Sequence, residues 1–151
     1  MSILLSKVFD SRSIKVNLEA KTKEEAFIEL VDAIADAYPE YDQTVLFASI
    51  WERENKMSTG IASGIAIPHG FCRGINKTIG AIGISRSGIE YGAADNEPVH
   101  VVFMLAMGEQ PGENHLHILK QILSLTQSGA LASLRNAKNA EEAQTVLSEF
   151  H

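Results

Sequence analysis

Cysteine is nearly absent from the chain: Cys72 is the only one among 151 residues. A lone thiol excludes an internal disulfide and any cysteine-based zinc site. Long apolar runs are missing too, and none approaches the roughly 20 residues a helical bilayer span needs. The first residues, MSILLSKVFDSRSIKV, lack the basic segment and small-residue cleavage site of a secretory leader. The expectation is a cytoplasmic protein with no direct membrane insertion. Positive charge is short as well, with 13 Lys and Arg against 19 Asp and Glu, a net charge of −6. That balance gives a nucleic-acid partner no electrostatic support and favours a basic protein partner. No GxxxxGK[ST] occurs, and no GxGxxG follows a strand, so a nucleotide-binding loop is not expected. Nor do two histidines stand four apart on a helix, the spacing a helical zinc pair uses. Neither metal nor cofactor is therefore expected.

What is present reads as one α/β domain over residues 1–151, a mixed sheet flanked by helices. Hydrophobic residues make up 45% and charged residues 21%, which is ordinary globular composition. SIKVNLEA (13–20) alternates polar and apolar residues like a strand. TKEEAFIELVDAIADAYPE follows with Thr22 and Glu25 spaced as a capping box, apolar residues at helical spacing, and Pro39 as the stop. A second helix is expected from Asp42 or Gln43 to about Asn55. GIAIPH and TIGAIGIS are short, β-branched and glycine-broken, suiting two buried strands joined through GFCRGINK. EYGAADNEP is a loop by composition. VHVVFMLAM (99–107) is apolar almost throughout, as a strand covered on both faces would be. Asn114 is placed to cap a helix through HLHILKQILSLTQS, and two short helices, ALASLRNA and AEEAQTVLSEF, finish the chain.

The stretch GIASGIAIPHG (60–70) carries the chemistry. Pro68 pushes Ile67 towards extended geometry, so His69 is presented rigidly at a strand end, where α/β proteins place functional groups. Gly60, Gly64 and Gly70 would let backbone pass close to whatever His69 binds. The pattern alone leaves both a functional histidine and a satisfied turn histidine open. His115 and His117, two apart on one helix, face different directions, so at most one can join His69. His115 falls in the first helical turn, where free N–H groups favour an anion, and His117 is read as a surface or flank residue. His100, inside the apolar strand, is read as buried and hydrogen-bonded. Arg53 could grip phosphate oxygens, with hydroxyls from Ser58 and Thr59 helping. Taken alone, however, Arg53 reads as part of a solvated charge run, WERENK. Nothing marks Cys72 as activated, so it reads as inert packing.

ERENKMSTGIASGIAIPHG, SGIEYGAADNEPVHVVFMLAMGE and NHLHILKQI, in that order, cover nearly the whole chain. Together they resemble the IIA components of the bacterial phosphoenolpyruvate-dependent sugar phosphotransferase system, in the fructose/mannitol/nitrogen-regulatory superfamily. The resemblance implies that His69 is the phosphorylated residue, accepting phosphate from the carrier HPr and passing it to a IIB component. In the fructose and mannitol systems that acceptor is a cysteine. It also implies that His115 and Arg53 are companion site residues. Ser58, Thr59 and Ser63 are then weaker phosphate-stabilising candidates. A regulatory role of the nitrogen type, signalling the phosphorylation state by binding other proteins, is the alternative. A histidine-based hydrolase or metal enzyme is disfavoured by the missing ligand patterns.

Overall fold

The computed structural model describes residues 5–61, 63–108 and 113–150. A short helix α1 (Leu5–Val8) leads straight into strand β1 (Phe9–Lys15). The capping box expected at α2 (Lys23–Ala37) is present. The Thr22 hydroxyl accepts from the Glu25 N–H, and the Glu25 carboxylate accepts from the Thr22 N–H. Ahead of Pro39, Tyr38 leaves the helical region at φ −132, ψ 71, and the helix ends. Asp42 caps α3 (Gln43–Lys56) by accepting from the N–H groups of Thr44 and Val45. Strands β2 (Ile65–Ala66), β3 (His69–Phe71), β4 (Ile79–Ile89) and β5 (Val99–Met107) follow. Helices α4 (Glu113–Thr126), α5 (Ala130–Arg135) and α6 (Ala140–Glu149) complete the order.

The strands form one mixed sheet in the order β1-β4-β5-β2, with β3 also pairing to β5. β4 and β5 are antiparallel, whereas β1 runs parallel to β4, and β2 and β3 run parallel to β5. Alternation along β5 sends Val102, Met104 and Ala106 into a core shared with Phe27, Leu30 and Ile34 of α2 and Leu46 and Ile50 of α3. Val101, Phe103 and Leu105 enter a second core with Ile118, Ile122, Leu134 and Leu147 from α4, α5 and α6. Helices on both faces explain why this strand is apolar at nearly every position.

Three expectations need correction. The first strand lies earlier than SIKVNLEA, over Phe9–Lys15. Burial still alternates through Val16, Leu18 and Ala20, because that segment packs onto the core while leaving the ladder. GIAIPH is two strands rather than one, because Pro68 has no N–H to donate and breaks the pairing between Ala66 and His69. The Pro68 carbonyl still accepts from the Leu105 N–H at 2.9 Å, which keeps the chain against β5. Asn114, finally, is not the cap of α4 but its second residue.

Candidate functional site

β3 lies along β5, with His69 beside Leu105 and Phe71 beside Met107. The residue between them faces α3. A Cβ on Gly70 would lie 2.7 Å from the Ser49 carbonyl oxygen, so only glycine lets the strand sit directly on that helix's backbone. Gly60 is likewise closed in, by Ala93 and Tyr91. These two glycines are thus filled by the protein itself, not left as room for a ligand. Gly64, in the left-handed region at φ +78, follows Ser63 at φ 68 in the turn that enters β2.

His69 is half-buried, and its Nδ1 lies 2.7 Å from the Ile67 carbonyl oxygen. A carbonyl can only accept, so Nδ1 carries the proton and the lone pair belongs to Nε2. Burial holds the ring's pKa below the ordinary histidine value, and the positive charge of Arg53 adds to that effect. The Ile67 hydrogen bond and the negative charge of Glu54 oppose it without reversing it. At neutral pH the ring is therefore an uncharged imidazole with a defined nucleophilic nitrogen.

Two helices bring the other candidates to this sheet edge. Arg53, in the last turn of α3, is half-buried and donates from Nη1 to the Met57 carbonyl at 3.3 Å. His115, in the first turn of α4, meets Phe71 edge-on with ring centroids 5.1 Å apart. The hydroxyls of Ser58 and Thr59 are already committed. Ser58 Oγ donates to the Gly92 carbonyl and accepts from the Gly60 N–H, both at 3.2 Å. Thr59 is buried and donates to the Glu54 carboxylate. Ser63 is exposed, with its N–H held by the Asp95 carboxylate at 3.2 Å. No described contact joins Ser63 to His69.

Glu54 was missed by reading WERENK as a solvated run. Its side chain is 1% exposed, and it forms a 2.8 Å ion pair with Lys23 Nζ. It accepts from both the N–H and the hydroxyl of Thr59, and from the Tyr91 phenol at 3.2 Å. The signal was there: Leu46, Ile50 and Glu54 recur every four residues, so Glu54 continues the buried stripe of α3. This carboxylate staples the chain leaving α3 to the body of the protein, and burial drives the neighbouring Tyr91 phenol pKa far up.

The remaining singled-out residues lie elsewhere. Cys72 is buried, and its thiol is pushed up to about 11, which leaves it inert at neutral pH. His100 is half-buried rather than buried, with Nδ1 at 2.9 Å from the Ser85 carbonyl. His117 is half-buried, as a flank residue would be, and its Nε2 is buried with no hydrogen-bond partner among the described residues.

Comparison with known proteins meets this geometry from outside. Residues 7–150 match the family described as "Phosphoenolpyruvate-dependent sugar phosphotransferase system, EIIA 2". A fructose-specific EIIABC component of Bacillus subtilis is 34% identical over 80% of this chain, which spans only 19% of that protein's length. A nitrogen regulatory protein of Pseudomonas aeruginosa is 32% identical over 83% of this chain and 82% of its own. Among solved structures, nitrogen regulatory protein IIA-Ntr of Neisseria meningitidis superposes with a TM-score of 0.86 at 26% identity, covering 96% of this chain and 99% of that one. The Escherichia coli enzyme IIAMTL, solved in complex with phosphorylated enzyme IIBMTL, gives a TM-score of 0.73 at 19% identity, covering 91% and 95%.

Proposed function

Because the chain belongs to the EIIA 2 family of the phosphoenolpyruvate-dependent sugar phosphotransferase system, we propose that it is a cytoplasmic phosphoryl carrier. His69 takes phosphate from phospho-HPr and hands it to a IIB component, on a cysteine, during sugar uptake. One observation carries the proposal: the 2.7 Å contact from His69 Nδ1 to the Ile67 carbonyl, which fixes Nε2 as the free nucleophile.

The step balances without a metal. The Nε2 lone pair attacks phosphorus in line, a new N–P bond forms, and the bond from phosphorus to the donor's carrier atom breaks with its electron pair returning to the donor. The Nδ1 proton stays in place, and the Ile67 carbonyl stabilises the positive character the phosphorylated ring acquires. Transfer onward reverses this bookkeeping at the acceptor sulfur. Arg53, whose charge is felt at His69, and His115, which meets Phe71 two residues on, are the proposed donors to the phosphoryl oxygens, where charge is spread in the transition state. Three large apolar side chains are exposed near them in sequence: Met57 at 70%, Phe71 at 62% and Leu116 at 59%. Each of these lies close in sequence to one of the three site residues, which suits a docking face for a protein donor and acceptor.

The test is to incubate the chain with phosphoenolpyruvate, enzyme I and HPr and to record intact mass before and after acid. One acid-labile phosphoryl group is expected in the wild type and none in His69→Ala. Labelling that survives in the variant, or none in the wild type, would overturn the assignment. The resemblance to the P. aeruginosa and N. meningitidis proteins favours a second reading, a regulatory IIA whose phosphorylation state governs its binding to other proteins. Mixing the phosphorylated chain with a fructose-type IIB separates the two. Rapid loss of label to the IIB cysteine supports transport, and retained label supports regulation.

A further inference from the structure

A second polar site lies well away from His69. Between the end of β4 and α5 is a cavity of about 500 Å³, within the size range of small-molecule sites. Arg86 and Arg135 line it, together with Ser85, Ser128 and Asn136 around an apolar contribution from Leu131. No acidic side chain is among its described lining residues. In a chain of net charge −6, two guanidinium groups facing one cavity with no carboxylate between them stand out from the surface average.

The two arginines are prepared differently. Arg86 is oriented from behind, its Nε donating to the Asn17 amide oxygen and its Nη2 to the Ala137 carbonyl, both at 3.2 Å. Among the described hydrogen bonds this leaves Nη1 uncommitted. Arg135, in the last turn of α5, makes no ion pair among the described residues. One oriented and one adaptable guanidinium match the two charges and several oxygens of a phosphomonoester. The Ser85 and Ser128 hydroxyls are held by the Gly88 N–H, the Leu125 carbonyl and the Ala130 N–H, so the exposed Asn136 amide is the group that offers partners to a hydroxylated body.

We propose that this cavity binds a small phosphomonoester of sugar size, as an effector site separate from the phosphoryl-transfer site. Separation follows from register. Ile84, which lines the cavity, pairs with Val101 on β5, whereas His69 pairs with Leu105. Four residues along a strand is roughly 13 Å, and the cavity's strand, β4, and His69's strand, β3, lie on opposite sides of β5.

The test uses the full chain, labelled with ¹⁵N, titrated separately with ribose 5-phosphate, glucose 6-phosphate, glycerol 3-phosphate and inorganic phosphate. Saturable shifts are expected at the amides of Ser85, Arg86, Ser128 and Arg135 for at least one of the three esters, with affinity about tenfold or more above inorganic phosphate. Arg135→Ala, at an exposed position, should weaken that binding about tenfold at unchanged thermal stability, and Arg135→Lys should recover part of it. His69→Ala should leave it untouched. The proposal is overturned if no ester saturates, if Arg135→Ala binds as the wild type does, or if inorganic phosphate binds equally well. Shifts that centre on His69 and vanish in His69→Ala overturn it too.

Discussion

The two sides of His69 are built in opposite ways. On the α3 side, a buried carboxylate gathers Lys23, Thr59 and Tyr91 around itself, and Gly70 lets β3 rest against the helix backbone. On the α4 side, Phe71 and Leu116 are largely exposed, and His115 touches β3 through one aromatic edge contact. The first arrangement fixes where the His69 ring stands, and the second leaves an open face beside it. On the proposed function, a carrier that meets two partners with one nitrogen would use both.

Breaking the buried side should have the largest effect. Glu54→Ala removes the acceptor of four recorded donors and leaves the Lys23 ammonium without its partner. We expect a loss of about 3 kcal/mol, measured by chemical denaturation. A loss below about 1 kcal/mol would show that the network is solvated in solution and does not staple the chain. Gly70→Ala comes next. Its Cβ would enter the space of the Ser49 carbonyl, which belongs to helix backbone and cannot rotate away. A cost of about 1–3 kcal/mol is expected, with slower phosphoryl acceptance as β3 is displaced. On the open side the same assays should diverge. Phe71→Ala should change stability by no more than about 0.5 kcal/mol while raising the apparent KM for the phosphorylated donor protein. Equal KM in wild type and variant would remove Phe71 from the docking face.

This asymmetry also explains what the sequence disclosed. The apolar run Val99–Met107, the Thr22 capping box and the α3 stripe follow from period and local chemistry, so the layers of the fold were legible. At His69 the local reading went part of the way: Pro68 acts on its immediate neighbours and interrupts the pairing, but His69 opens β3 instead of ending a strand. The rest depends on contacts distant along the chain. Glu54 reads as solvent-facing until Tyr91, 37 residues later, and Lys23 close over it. The glycines of GIASGIAIPHG suggested room for a ligand, but which atoms approach Gly60 and Gly70 is decided by Ala93 and by the backbone of α3. Composition cannot tell a glycine that faces a ligand from one that faces its own protein.

The smallest effect tests the electrostatics at His69. Its folded-state pKa lies below the unfolded value, so well above the unfolded pKa of about 6.5 the ring is neutral in both states and contributes nothing to the pH dependence of stability. As pH falls through the unfolded value, the unfolded chain takes up the proton first and stability drops. The drop levels off once the folded pKa has also been passed. Phosphoryl acceptance, which needs the Nε2 lone pair, should hold level further into acid than a free histidine would allow. Two neighbours pull the ring in opposite directions, and this gives the sharper check. Removing positive charge in Arg53→Ala should raise the His69 pKa, whereas removing negative charge in Glu54→Gln should lower it. Titrating the imidazole protons by NMR in both variants reads the two signs directly. Shifts in the same direction would mean that Glu54→Gln acts by loosening the α3 side and changing the ring's burial, so that charge and position at His69 are one variable and not two.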